Sequence, residues 1–167
     1  MANFPIEKLQ KIQTPFYYYD VELLKATLNE LKAEADKYGF LPHYAVKANA
    51  NEKVLKIIAA SGIGADCVSG NEVLACIKAG FQPDKIVFAG VGKTDREINN
   101  ALDANIFCFN AESIPELEVI NELASAKNKV ANVELRVNPN VDAHTHSYIT
   151  TGLNENKFGF NMDDLDA

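Results

Sequence analysis

The chain has 167 residues, 47% of them hydrophobic, enough apolar side chain for the core of one ordinary domain and too much for a disordered segment. Its 16 basic and 23 acidic residues leave a formal charge of -7, and no cluster of Lys and Arg rises above scattered helix faces, which argues against nucleic acid or an anionic membrane and leaves small molecules as partners. No run approaches a membrane span, the stretch from Met1 to Gln13 lacks a signal core, and Cys67, Cys76 and Cys108 lack the paired spacing of a zinc site, so a cytoplasmic protein with reduced, buried thiols is expected.

Pro15 breaks the lead segment, and Phe16-Tyr-Tyr-Tyr19 has strong strand propensity, ended by Asp20. Asp20 reads as a helix N-cap, followed by Leu24, Leu28, Leu31 and Ala35 at helical spacing and by Gly39 as a stop. From Leu41 onward a short apolar strand and an amphipathic helix alternate with a period of about 20 to 25 residues, as in alternating β and α units. Strands are expected over Pro42–Val46, Ala65–Val68, Lys85–Ala89, Asn105–Phe109 and Val133–Val137. Helices are expected over Glu52–Ala60, Gly70–Ala79, Asp95–Leu102 and Ile114–Ala126, with a sixth beginning near Asn161-Met-Asp-Asp-Leu165. Ser69-x-x-Glu72 and Thr94-x-x-Glu97 are capping-box signatures, and Gly62 and Gly80 fall where helices should end.

Parallel strands with crossover helices fit either an open doubly wound sheet or the first part of an eight-stranded barrel. The strand ends favour the barrel: Lys47 with Asn49, Asp66, Gly90, Asn110, and Arg136 with Asn138 bring polar groups from successive strands to one face. A complete barrel needs about 250 residues, so the chain reads as the opening part of one.

Several motifs fail as binding signatures. Gly90-Val-Gly-Lys-Thr94 follows a strand and opens a helix, but a P-loop needs a glycine where this chain has Val87. Gly62-Ile-Gly64 precedes a strand, so it is no dinucleotide fingerprint. His144 and His146 have no evident third ligand, and the long stretch from Asn138 to Gly159 reads as a binding loop, not a metal centre. Lys47 is either a surface lysine just past a strand or an amine held at a strand's carboxyl end, able to attack a carbonyl. Asp66 reads equally as a turn cap or a site residue, and an inward Arg136 would need an anionic or aromatic partner.

Six motifs in one order resemble the fold-type III pyridoxal-phosphate decarboxylases. They are Thr14-Pro-Phe-Tyr-Tyr-Tyr-Asp20, Tyr44-Ala-Val-Lys-Ala-Asn49, Gly64-Ala-Asp-Cys-Val-Ser-Gly-Asn-Glu72, Phe88-Ala-Gly-Val-Gly-Lys-Thr94, Leu135-Arg-Val-Asn-Pro139, and His146-Ser-Tyr-Ile-Thr-Thr-Gly152 leading to Lys157-Phe-Gly159. The last places the chain nearest the branch that decarboxylates meso-2,6-diaminopimelate to L-lysine, the last step of bacterial lysine synthesis. Alanine racemases share Val-Lys-Ala-Asn but continue differently from Ala50-Asn-Glu-Lys53.

The resemblance implies an α/β fold of the alanine-racemase type, a partial (β/α)8 TIM-type barrel over residues 21–167. Residues 1–20 would carry a strand of a C-terminal β-domain that lies beyond residue 167. It implies pyridoxal 5'-phosphate as cofactor, Lys47 as the Schiff-base lysine, and Asp66, Glu72 and Arg136 in the cofactor pocket. It further implies a homodimer, and ring-stacking, phosphate and substrate contacts beyond this chain, which alone would be inactive. The alternatives are a relative acting on ornithine, arginine or carboxyspermidine, or a non-catalytic pyridoxal-phosphate homeostasis barrel.

Overall fold

The structure is a computed structural model and describes residues 4–139, 141 and 159–162. The chain divides into two compact units, residues 1–41 and 42–167.

The first unit holds α1 (Ile6–Leu9) and α2 (Val21–Lys37). Asp20 caps α2 as expected, its carboxylate accepting the Leu23 N–H at 3.0 Å. Gly39, at φ 69°, lets the chain turn out of the helix while the Phe40 N–H bonds back to the Ala35 carbonyl. The strand expected over Phe16–Tyr19 is not formed: these residues lie in irregular backbone, with stacked Tyr17 and Tyr19 rings 6.5 Å apart. Aromatic propensity measures fit to a pleated surface. Without a neighbouring ladder it does not make a strand.

The second unit is built from β1 (His43–Ala45), α3 (Glu52–Ala60), β2 (Gly64–Cys67), α4 (Gly70–Ala79), β3 (Ile86–Phe88), α5 (Asp95–Ala104), β4 (Cys108–Ala111), α6 (Ile114–Ala126) and β5 (Val133–Leu135). All five strands pair in parallel in the order β1-β2-β3-β4-β5. A doubly wound sheet reverses its order at a switch point, and this one does not. Crossovers between successive parallel neighbours, which as a rule are right-handed, put the helices on one face, as in a barrel wall. Two short strands, β6 (Val137–Asn138) and β7 (Phe160–Asn161), pair in parallel just beyond β5.

The core lies between sheet and helices. Leu55, Ile58, Ile86, Phe88, Ile98, Phe109 and Ile120 are fully buried there, each contributing about 1.5–3 kcal/mol. Cys67 touches Cys76 of α4, with Sγ atoms 3.8 Å apart, so Ala65 and Cys67 face the helices. Alternation therefore turns Asp66 to the opposite, open face. The register extends that face across the sheet: Ala45, Asp66, Val87 and Cys108 form one row, and Asn110 and Glu134 lie one step nearer the carboxyl ends.

Helices α3, α4 and α6 occupy the spans expected from their periodicity, while α5 runs two residues longer and displaces β4. Asn105, expected to begin that strand, instead ends α5 in the left-handed region at φ 53°. An Asn tolerates that conformation, so the strand starts at Cys108 and ends at Ala111. The expected fifth strand stops at Leu135, and Val137 and Asn138 pair separately with β7. Residues 163–165 of the expected sixth helix lie outside the described residues.

Candidate active site at the carboxyl ends of the strands

Lys47 sits on a 3-10 turn, Val46–Ala48, that β1 delivers directly. The turn is fixed from both sides. The Tyr44 hydroxyl donates to the Asn49 carbonyl at 3.1 Å, and the Asn49 N–H donates to the Val46 carbonyl at 3.0 Å. The Asn49 side chain accepts the Asn51 N–H at 2.9 Å, and Asn51 in turn caps α3. Each polar residue of Tyr44-Ala-Val-Lys-Ala-Asn49 except Lys47 therefore holds backbone. Lys47 itself is exposed, and its ammonium has no hydrogen-bond or ion-pair partner among the described residues. An unpartnered amine on a fixed turn is available to a carbonyl.

Asp66 lies on the open face one strand over, its Cα level with that of Ala45. Its Oδ1 is buried and has no hydrogen-bond partner among the described residues. A buried acceptor left unsatisfied costs about 1–3 kcal/mol, more when charged, so this oxygen calls for a donor from outside the described residues. Asp66 does not cap the turn that follows it. The following turn is held by Ser69 and Glu72 instead.

Glu72 is committed to backbone. Ser69 Oγ accepts the Glu72 N–H at 3.3 Å, and the Glu72 carboxylate accepts the Val68 N–H at 2.7 Å, one residue before the position a capping box would use. Thr94 and Glu97 form the complete box, and Glu97 also accepts the Gly70 N–H at 2.8 Å. These bonds hold the Glu97 carboxyl below the usual carboxylate range, those from Thr94 first and that from Gly70 after them.

Arg136 continues from β5 with its backbone clamped: its N–H donates to the Ala111 carbonyl at 3.0 Å, and its carbonyl accepts the Phe160 N–H at 2.8 Å. A side chain at Gly159, where φ is 122°, would come within 2.5 Å of that carbonyl, so this approach requires glycine. The guanidinium donates to Glu112 Oε2 at 3.2 Å, its partner among the described residues. Glu112 is almost fully buried, and its Oε1 accepts the Gly90 N–H at 2.9 Å.

Beneath this pair lies Lys93, whose side chain is only 1% exposed. It donates to the carbonyls of Gly90 and Asn110, each at 2.8 Å, pairs with Glu116, and lies 5.4 Å from the centre of the Phe88 ring. Glu116 closes the circuit by accepting the Glu112 N–H at 2.8 Å. Sequence reasoning dismissed the Gly90–Thr94 segment as a phosphate loop, and the structure gives its lysine this structural task. Glu112 and Glu116 were missed. For Glu116 the available signal was a third Ser/Thr-x-x-Glu, Ser113 to Glu116, after Ser69 to Glu72 and Thr94 to Glu97.

The fold thus carries Lys47 and Asp66 to the carboxyl ends of the neighbouring strands β1 and β2, and Arg136 to that of β5 at the other side of the same sheet, with Glu72 bracing the loop after Asp66. His144 and His146, and residues 142–158 of the expected binding loop, lie outside the described residues. On the open face Cys108 is pushed up to about 12, by burial first and then by Glu134 and Asp66. It is an inert thiol. Among the described residues no cluster of three metal-ligating side chains occurs, and no helix is long and apolar enough to cross a membrane.

Comparison with known proteins agrees with the fold. A diaminopimelate decarboxylase of Bacteroides thetaiotaomicron is 64% identical over 164 residues, which cover 98% of this chain and 42% of that protein. The solved diaminopimelate decarboxylase of Helicobacter pylori, complexed with L-lysine, superposes with a TM-score of 0.83 at 42% identity, over 96% of this chain and 41% of that one. The M. jannaschii enzyme, also in complex with L-lysine, gives 0.81 at 40% identity, over 95% and 38%. The chain therefore spans about two fifths of the length of these relatives. Residues 22–167 match the pyridoxal-binding domain of the pyridoxal-dependent decarboxylases, and the chain belongs to that family.

Proposed function

We propose that this chain supplies the covalent cofactor site of a pyridoxal-phosphate-dependent carboxy-lyase that converts meso-2,6-diaminopimelate to L-lysine and carbon dioxide. The observation that carries the reading is a lysine on a fixed turn after β1 and, on the neighbouring β2, a buried Asp66 oxygen, both without a partner among the described residues, in a chain 64% identical to a diaminopimelate decarboxylase. The residues fit the cofactor's chemistry. Lys47 offers an amine to an aldehyde, Asp66 offers a buried acceptor, and the Arg136 guanidinium offers positive charge to an anionic oxygen.

Pyridoxal phosphate, when bound, supplies the electron-poor ring that accepts the electron pair left as a carboxylate departs. Lys47 is the attachment point, and its turn, tied by Tyr44, Asn49 and Asn51, fixes the backbone from which the lysine reaches. Asp66 Oδ1, which has no partner among the described residues, would accept a hydrogen bond from the cofactor on the open face of the sheet. Glu72 holds the loop between β2 and α4 through Val68, and so stands beside the pocket as a brace. A cytoplasmic homodimer belongs to the same reading, and light scattering of the full gene product checks its mass.

The test is carbon dioxide release by the full gene product, supplied with pyridoxal phosphate, from a panel of diamino acids. Turnover is expected on meso-diaminopimelate and at least tenfold less on ornithine or arginine. Equal or better turnover on ornithine, or none on any substrate, refutes the assignment.

A further inference from the structure

We propose that Glu112 is the positioning residue of this site, acting on cofactor binding through Arg136. Resting on the reading of the site as a pyridoxal-phosphate pocket, it adds a residue that the family motifs did not point to. Glu112 follows β4, and both oxygens of its buried carboxylate are engaged: Oε1 by the Gly90 N–H at the end of β3, Oε2 by the Arg136 guanidinium beyond β5. Its backbone N–H is fixed in turn by Glu116, which Lys93 holds. One carboxylate therefore joins the carboxyl ends of three adjacent strands.

The asymmetry of that pair sets its consequence. The Glu112 side chain is 2% exposed and Arg136 36% exposed, so the carboxylate is the fixed member and the guanidinium the presented one. A guanidinium carries five donors, and the described residues engage one of its nitrogens. The long arginine side chain loses its rotamer freedom to Glu112 before any ligand arrives. The remaining donors are then held ready for an anionic group, which lowers the ordering cost of binding. Without the Glu112 charge, Arg136 would remain in place through its backbone but its guanidinium would swing.

The test is a double-mutant cycle in the full gene product, read by titrating pyridoxal phosphate into the apoprotein and by thermal unfolding of the same samples. Glu112→Gln keeps an oxygen for the Gly90 N–H and removes the charge facing Arg136. It is expected to weaken cofactor binding about tenfold while the unfolding midpoint shifts by only a few degrees. Arg136→Lys should weaken binding by a similar factor, and adding E112Q to R136K should weaken it by no more than about twofold further, because the two act as one unit. Multiplication of the two effects, or unchanged affinity in E112Q, overturns the proposal. Should E112Q not fold, Glu112→Asp, which keeps the charge but shortens its reach, is carried through the same cycle with the same criteria. Wild-type apoprotein that binds no pyridoxal phosphate overturns this proposal and the functional reading together, whereas wild-type binding with multiplicative variants overturns this proposal alone.

Discussion

Lys93→Met is the sharpest probe of the frame that holds the strand ends. Methionine keeps most of the aliphatic stem and removes the ammonium that lies over Phe88. Three acceptors then lose their donor at once: the Gly90 carbonyl, the Asn110 carbonyl and Glu116. Deleting one member of a buried pair typically costs about 3–5 kcal/mol, because the survivor is a charge without compensation. Here Glu116 is 13% exposed and keeps its bond from the Glu112 N–H, which places the expected loss near the lower end, about 3 kcal/mol. The ring contact adds little, since a thioether on an aromatic face replaces part of a cation–π interaction. Urea unfolding of the full gene product without cofactor, followed by circular dichroism, measures the change free of ligand linkage. The double variant Lys93→Met with Glu116→Gln should be more stable than Lys93→Met alone, because the stranded charge is gone. A loss below about 1 kcal/mol for Lys93→Met, or a double variant as damaged as the sum of the singles, would refute the reasoning.

Other substitutions test separate parts of the frame. Gly64→Ala would place its Cβ 2.5 Å from the Lys85 carbonyl oxygen and 2.6 Å from His43 Nε2, so β2 and β3 must part; a loss of about 1–3 kcal/mol is expected, only partly relieved by also truncating His43, and an unchanged melting point would contradict it. Thr94→Ala removes the cap of α5 at a cost of about 1 kcal/mol. Because Glu97 is depressed in the folded state, its contribution is present above the ordinary carboxylate value of 4.5 and lost as pH falls through the lower folded one. Urea midpoints between pH 3 and 6 should therefore fall less steeply in Thr94→Ala. At the alkaline end the sign reverses in pH: Cys108 is raised, so its share of stability is complete below the ordinary thiol value of 9.0 and lost as pH rises through about 12. The hydrogen bond with the Cys76 thiol, and burial after it, push Cys67 the same way, so Cys108→Ala should remove part of the alkaline loss, and an identical alkaline limb would count against the assignment.

The helices were the legible part of the chain. Asp20, Ser69 and Thr94 announce their helices because a cap is a local device, and the periodicity of α3, α4 and α6 reports which side meets the sheet. Strand edges were less legible. The shift of β4 depends on Asn105 adopting a left-handed conformation, and the Phe16–Tyr19 run reads as a strand only if something pairs with it. Lys47, Asp66 and Arg136 were visible as polar groups at strand ends, whereas their supports were not. Lys93 reaches Asn110 and Glu116 across 17 and 23 residues, and Glu112 reaches Arg136 across 24, separations that carry no periodic trace.

The direct test of the central claim is reduction of the full gene product with borohydride in the presence of pyridoxal phosphate, followed by peptide mapping. One pyridoxyl label is predicted, on the Lys47 amine, and Lys47→Ala should take up none at that peptide. Label on another lysine with Lys47 unmodified, or no label at all, would contradict the account.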